Sequence, residues 1–164
     1  MRRWWLAGVM LVGCDSGTPE PEPFMGDETY VRDPALNVAL TSGKGEAISH
    51  AVGENCMQCH QAHGPGPGLF TAAGTLHDAD GAPFAGGLIE LRTGPNGTGE
   101  LVVRLEVDEL GNFYTTEALP LPDSAVFPTV YAVDGVPSNY MPFPTSSAAC
   151  NVCHAGGASV RLKG

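Results

Sequence analysis

The chain carries two copies of a five-residue pattern, Cys-x-x-Cys-His, and no other feature restricts its folding as strongly. The copies are Cys56-Met57-Gln58-Cys59-His60 and Cys150-Asn151-Val152-Cys153-His154. Two thiols at this spacing can each bond one vinyl group of the same porphyrin, and the next histidine can bind the iron. The pattern predicts two covalently attached c-type haems. Their thioether residues are Cys56, Cys59, Cys150 and Cys153, and their proximal iron ligands are His60 and His154.

Other chemistries of paired cysteines stay open at this point. A thioredoxin-like dithiol is expected near a βαβ pattern, and none is visible in the sequence. Four thiolates in a zinc-ribbon arrangement, or a disulfide within each pair, would use the cysteines. Neither gives a role to the histidine that follows each pair. The haem interpretation uses all of these residues and is therefore preferred.

The N-terminus has the features of an exported lipoprotein. Arg2 and Arg3 precede an apolar segment, and Leu11-Val12-Gly13-Cys14 follows it. The last run closely resembles the lipobox of bacterial lipoproteins, which implies removal of residues 1–13 and lipidation of Cys14. The apolar segment is much shorter than the roughly 20 residues that span a bilayer. The resemblance implies a bacterial envelope protein, held to a membrane by its N-terminal lipid on the periplasmic or cell-surface side.

The segment after the lipobox is predicted to be a flexible tether over residues 14–44. Its first part, from Asp15 to Phe24, alternates proline with acidic residues and has little to bury. The chain is also acidic, and loss of Arg2 and Arg3 would take its formal charge from −10 to −12. This charge argues against nucleic acid as a partner and favours a basic redox partner protein.

Between the two motifs, hydrophobicity alternates with a period of two residues. In the run 101–108, the apolar residues Leu101, Val103, Leu105 and Val107 fall on one face, and Arg104, Glu106 and Asp108 fall on the other. Further strands are predicted at 70–76, 89–92, 112–115 and 129–133. Glycine-containing turns separate them at 80–81, 94–97, 111–112 and 134–135. Short strands at such intervals predict an antiparallel sandwich.

The runs 73–91 and 108–113 resemble the carboxypeptidase-regulatory-like or transthyretin-like β-sandwich family, over about residues 70–135. The resemblance implies a mainly β fold, a small immunoglobulin-like antiparallel sandwich without catalytic residues of its own. Short helical or loop haem-binding segments are expected at both flanks, at 45–68 and 139–164 around a sandwich at 69–138. Within the first flank, Glu46 to Asn55 is predicted to form a short helix.

Each iron also has a second axial position, and three histidines lie outside the motifs: His50, His63 and His77. Similarity to small multihaem cytochromes favours His50 first and His63 second. Because both lie close to His60 in sequence, each is expected to bind the neighbouring haem or to cross over through a turn. Met141 is the best candidate among the methionines. Met141 and His77 are both less favoured than His50 and His63.

Electron transfer is the expected function, because two covalent haems suffice for it and no catalytic acid-base constellation is evident. The chain is thus expected to be an electron carrier rather than an enzyme. One alternative is an interaction module whose β-domain binds a partner, or assembles into a homo-oligomer or filament. Another is a haem peroxidase, in which an iron keeps an open position.

Overall fold

A computed structural model describes residues 31–133, 136–155 and 160–162, and within these ranges nearly all of the regular secondary structure is β-strand, joined by turns and irregular segments. The strands are β1 (Ala72–His77), β2 (Leu88–Arg92), β3 (Leu101–Glu106), β4 (Asn112–Thr115), β5 (Phe127–Tyr131), β6 (Pro137–Tyr140) and β7 (Val160–Arg161). The helical elements are 3-10 turns at Pro34–Leu36 and Cys56–Gln58 and one α-helical turn, α1 (Cys150–Cys153). The predicted mainly β fold is confirmed.

The strands form two sheets that pack face to face. One sheet has the order β4-β1-β7 and the other β3-β2-β5-β6, and every pairing is antiparallel except that of β1 with β7. The core lies between the sheets, where Leu76 and Phe113 of the first meet Ile89, Leu91 and Leu105 of the second. A small β-sandwich results, and the two Cys-x-x-Cys-His segments lie against its strand β1.

The period-two pattern of residues 101–108 predicted the buried face with two exceptions. Val103, Leu105 and Val107 are buried, whereas Leu101 at the start of β3 is 45% exposed. Asp108 was expected on the solvent face, and it is fully buried. The strand ends at Glu106, and the Asp108 carboxylate accepts hydrogen bonds from the Leu110 and Asn112 amides of the following turn. A carboxylate that satisfies turn amides this way can be buried.

The predicted helix from Glu46 to Asn55 is wrong. Two residues of this segment have left-handed backbone conformations, Ala51 with φ 52° and Gly53 with φ 79°, which interrupt any α-helix. Its backbone groups instead form hydrogen bonds with β1 and with the turn after β3. The Gly53 amide donates to Thr75 Oγ1, and the Glu46 carbonyl accepts from the Glu109 amide. Contacts with the sheet outweigh a helical propensity that was weak over so short a run.

The domain boundaries also differ from those expected. The folded unit begins at Arg32, and Thr41 pairs with Thr115 of β4, so residues 32–44 are not tether. Strands β6 and β7 extend the sandwich into the segment 139–164 that was assigned to the second haem. The predicted signal segment 1–13, Cys14, the tether up to residue 30 and the turn at 134–135 lie outside the described residues. None of the helices described is long and apolar enough to cross a bilayer.

Candidate haem sites

The first motif forms a single tight turn that places its three functional residues on one side. The amides of Cys59 and His60 both donate to the Cys56 carbonyl, at 3.3 and 3.1 Å. Residues three and four apart on such a turn are neighbours. Cys56, Cys59 and His60 accordingly line the same groove.

This first groove has a volume of about 430 Å³. Its wall is largely apolar and aromatic, with Leu40, Ile48, Phe70 and Tyr114 beside the motif. Ile48 lies on this wall and is 78% exposed. The groove therefore presents apolar surface that a large apolar ligand would cover.

His60 is held in one orientation and one tautomer. Its side chain is only 7% exposed, and its ring stacks on Phe70 with centroids 4.0 Å apart and planes 2° apart. The ring atom Nδ1 lies 2.7 Å from the Pro67 carbonyl oxygen. Because a carbonyl oxygen only accepts, Nδ1 must carry the hydrogen, and Nε2 keeps its lone pair. A hydrogen bond of this kind is the usual support of a metal-binding histidine.

The run Gly64-Pro65-Gly66-Pro67-Gly68 forms the loop that carries this carbonyl. A side chain at Gly66 would place its Cβ 2.7 Å from His60 Nδ1, and one at Gly64 would place its Cβ 2.0 Å from the Cys59 carbonyl oxygen. The loop can therefore wrap closely around the histidine only with glycine at both positions. No pattern in the sequence predicts the contact of this loop with His60.

Arg32 holds the same loop from its other side. Its guanidinium donates to the carbonyls of Gln61 at 2.5 Å, Gly64 at 2.7 Å and Gly66 at 2.6 Å. Arg32 lies 28 residues before His60, and no pattern in the sequence connects the two.

His50 lies in the first groove together with His60. Their ring centroids are 6.0 Å apart, and the ring planes are inclined by 38°. The left-handed turn at Ala51 and Gly53 separates His50 from the motif. The turn keeps His50 beside the first motif.

The second motif forms α1 and lines a second groove. The His154 amide donates to the Cys150 carbonyl at 2.9 Å, so Cys150, Cys153 and His154 again share one side of a turn. The groove has a volume of about 380 Å³ and extends to the core residues Ile89, Phe113 and Val130. Two further apolar residues of its wall, Phe143 and Val152, are 59% and 58% exposed.

The other three candidate axial residues lie in different places. Met141 lines the second groove together with His154. His63 is exposed and, among the described residues, belongs to the lining of neither groove. His77 lies at the end of β1, opposite Arg161 of β7, and also lines neither groove. The geometry thus brings Met141, rather than His63, to the second motif.

A buried polar network joins the two motifs. Asn151, inside the second motif, donates from Nδ2 to the Glu54 carbonyl at 2.8 Å and accepts at Oδ1 from the Thr75 amide at 3.0 Å. Thr75 Oγ1 in turn accepts from the Gly53 amide and donates to Asn112 Oδ1. The chain just before Cys56 is therefore fastened to the second motif across β1.

The cysteine environments agree with this proximity. Burial raises the pKa of the Cys150 thiol to about 12, and the nearby Cys56 thiol adds to the effect. Burial also raises the pKa of the Cys56 thiol. In the described part of the chain, all four cysteines are free and no three His, Cys, Asp or Glu side chains cluster at a possible metal site.

No protein-family model, curated protein or solved structure matches the chain. The resemblance to the carboxypeptidase-regulatory-like family stays a prediction.

Proposed function

We propose that the protein is a lipid-anchored, extracytoplasmic c-type cytochrome that carries two haems and transfers electrons. One observation carries the proposal. Each Cys-x-x-Cys-His turn lies in the wall of its own apolar groove, and each groove also contains a second residue able to bind iron. A zinc site or a redox dithiol would not need two separate grooves of this kind.

The residues present fit two haems in size and polarity. Grooves of about 430 and 380 Å³ fall within the roughly 300–1,000 Å³ typical of cofactor sites. Ile48, Phe143 and Val152 are large apolar side chains on the groove walls that a bound porphyrin would cover. Arg161 lines the second groove, and its buried Nε has no hydrogen-bond partner among the described residues. A haem propionate is an anion that this group would bind.

A bound haem supplies a one-electron iron couple, and the protein tunes that couple through its ligands and their surroundings. In the first groove, His60 and His50 would bind the iron. In the second groove, His154 and Met141 would bind it. Paired imidazoles favour a lower reduction potential than a histidine with a methionine. We therefore expect the second site to have the higher potential and to hold an electron in preference to the first.

Membrane attachment and the choice of partner belong to the same proposal. Cys14 would carry the lipid, and residues after it would connect the lipid to the folded unit that begins at Arg32. The acidic chain, with 18 acidic and 8 basic residues, would favour a basic redox partner by electrostatic attraction. Export also suits haem attachment, which in bacteria takes place outside the cytoplasm.

The haem content can be tested by intact mass. The protein is produced in a host that attaches c-type haem, denatured and weighed. The mass should exceed that of the acylated chain by two haems, and a spectrum should show a c-type cytochrome. In the double variant Cys150→Ser with Cys153→Ser, one haem should remain. A wild-type chain with no haem, or with one, would contradict the proposal.

The anchor needs a separate test. Cys14→Ala should abolish incorporation of a labelled fatty acid and block lipoprotein processing, without changing the number of haems. Cys59→Ala, which changes a cysteine of the first motif, is the matched control and should leave acylation intact. Unchanged labelling and processing of Cys14→Ala would rule out the lipobox.

A further inference from the structure

The Arg32 side chain contacts the loop after His60 only at the backbone carbonyl oxygens of that loop. Its two Nη atoms donate to the carbonyls of Gln61, Gly64 and Gly66 at 2.5 to 2.7 Å, and Nε donates to Asn37 Oδ1 at 2.9 Å. The three carbonyls belong to the six residues, 61–66, that lie between His60 and Pro67. One charged side chain thus binds most of this loop.

Near its end, this loop carries the Pro67 carbonyl oxygen, which orients His60. The Pro67 carbonyl accepts the hydrogen of His60 Nδ1 at 2.7 Å, and the Gly66 amide donates to the Cys59 carbonyl at 2.9 Å. Two prolines and three glycines make up residues 64–68. Glycines gain the most conformational freedom when a loop is released, so the loop needs an external contact to keep a single shape.

We propose that Arg32 is a positioning residue that sets the strength of the hydrogen bond from His60 Nδ1 to Pro67, and through it the potential of the first haem. The inference rests on the proposed function, because it assigns His60 to iron. Arg32 acts only through the loop, and it is not itself a ligand.

The planar fork of arginine is essential to this role. The guanidinium presents five N–H donors in fixed directions, and here they serve carbonyls that point at it from different residues. A lysine ammonium keeps the positive charge but has three donors on a flexible stem. The variant Arg32→Lys therefore removes the fixed geometry while it leaves the charge in place.

The sign of the effect follows from ligand basicity. A strong hydrogen bond from Nδ1 makes the imidazole a more basic ligand, which stabilises the oxidised iron and lowers the potential. A looser loop weakens the bond, so Arg32→Lys should raise the potential of the first haem. We expect Arg32→Lys to shift the one-electron equilibrium of the first haem by up to about tenfold, which corresponds to about 59 mV.

The test compares three variants of the matured full-length protein by redox titration. Arg32→Lys removes the fork, and Asn37→Ala is a milder change that removes only the acceptor of Nε. Arg104→Lys is the matched control, since Arg104 bonds Glu90 on the outer face of the sandwich, away from both grooves. The double variant lacking Cys150 and Cys153 identifies which titration belongs to the first haem.

A second readout needs no haem. In the haem-free full chain, nitrogen NMR reports which ring nitrogen of His60 carries the hydrogen. The wild type should show hydrogen on Nδ1, and Arg32→Lys should show a mixture of tautomers. This measurement separates a failure of the positioning role from a failure of the haem assignment, because the second failure leaves the NMR comparison valid.

The expected result is a higher potential for the first haem in Arg32→Lys, a smaller rise in Asn37→Ala, no change in the second haem and none in Arg104→Lys. Equal shifts of both haems would indicate a general loss of structure and overturn the proposal. An unchanged first potential, or an unchanged His60 tautomer in Arg32→Lys, would also overturn it.

Discussion

Single side chains distinguish the two grooves from each other. His50 lies 6.0 Å from His60, centroid to centroid, in the first groove, whereas Met141 accompanies His154 in the second. A thioether sulfur and an imidazole nitrogen give iron different potentials and spectra. The proposed asymmetry between the haems can therefore be tested one residue at a time.

The first prediction at this scale concerns His50. Changing His50 to Ala should convert one haem from low-spin to high-spin, because the first iron would lose its sixth ligand. Visible absorption and electron paramagnetic resonance spectra report the change. His63→Ala is the matched control and should leave both haems low-spin, since His63 is exposed and outside the lining of either groove. A spectral change in the control with none in His50→Ala would exchange the roles of the two histidines.

A second residue prediction concerns Met141. The Met141→Leu protein should lose a methionine-to-iron absorption band in the near infrared, and the potential of the second haem should fall or its spin state should change. Met57→Leu should do neither, because Met57 packs against the cluster of Phe70, Ala73 and Tyr114. If Met141→Leu leaves the band and the potential as they were, the sixth ligand of the second haem must come from elsewhere.

At the scale of elements, the second motif interrupts the edge of β1. The Ala73 amide pairs with the Ala148 carbonyl, and the strand resumes its pairing at Leu76 with β7. Between these points the chain leaves the sheet to form α1. The Thr75 amide, which would otherwise lack a partner, donates to Asn151 Oδ1 at 3.0 Å. A side chain thus replaces a strand neighbour at the place where the second Cys-x-x-Cys-His turn leaves the sheet edge.

Asn151→Ala should therefore destabilise the protein. Thr75 is fully buried, and Asn151 is only 5% exposed. The variant would leave the Thr75 amide and the Glu54 carbonyl without their partner, at a cost of about 1–3 kcal/mol in the free energy of unfolding. Urea unfolding of the matured protein measures this difference. Gln58→Ala, an exposed polar residue of the first motif, is the control and should change stability by less than about 0.5 kcal/mol. Equal stability of the two variants would mean that Asn151 does not support the sheet edge.

At the scale of the whole molecule, one buried carboxylate connects three strands of the larger sheet. Glu90 of β2 is 2% exposed and accepts hydrogen bonds from Arg92, Arg104 of β3 and Tyr131 of β5 at 2.5 to 2.8 Å. Burial acts to raise the pKa of Glu90, but the hydrogen bonds from Arg104, Tyr131 and Arg92 outweigh it and bring the pKa below its usual value of 4.5. The folded state therefore favours the ionised form.

This shift predicts how stability depends on pH. A carboxyl whose pKa is lower in the folded state stabilises the fold above its unfolded pKa, and the contribution disappears as pH falls through the folded value. Glu90→Gln should lower the free energy of unfolding at pH 7 by about 1–3 kcal/mol and should make it less sensitive to pH below about 4.5. Denaturant unfolding at a series of pH values measures both effects. Glu100→Gln changes an exposed carboxyl and should match the wild type. A Glu90→Gln protein with the wild-type pH profile would show that Glu90 does not contribute to the acid sensitivity.

The sequence by itself determined the features that depend on neighbouring residues. Strand β4 was predicted with its observed bounds, and β2 with its buried Ile89 and Leu91, because alternation along a strand directly specifies which side chains are buried. The turn of each motif followed in the same way, since three or four residues suffice to place two thiols and an imidazole on one side. These local rules were enough for the fold class and for the chemistry that the motifs suggest.

Only the tertiary structure decided which of the other candidate ligands shares a groove with His60 and which shares one with His154. Met141 follows β6, and its amide donates to the Pro128 carbonyl where β6 pairs with β5. His154 ends the turn that lies beside the edge of β1. The position of His50 depends on the left-handed turn at Ala51 and Gly53. The Gly53 amide of that turn donates to Thr75 Oγ1 of β1, which is distant in sequence. Arg32 and Asn151 likewise act on backbone groups far away in sequence. Such contacts join positions whose separation is set by strand register and packing, and no local pattern of residue types encodes those distances.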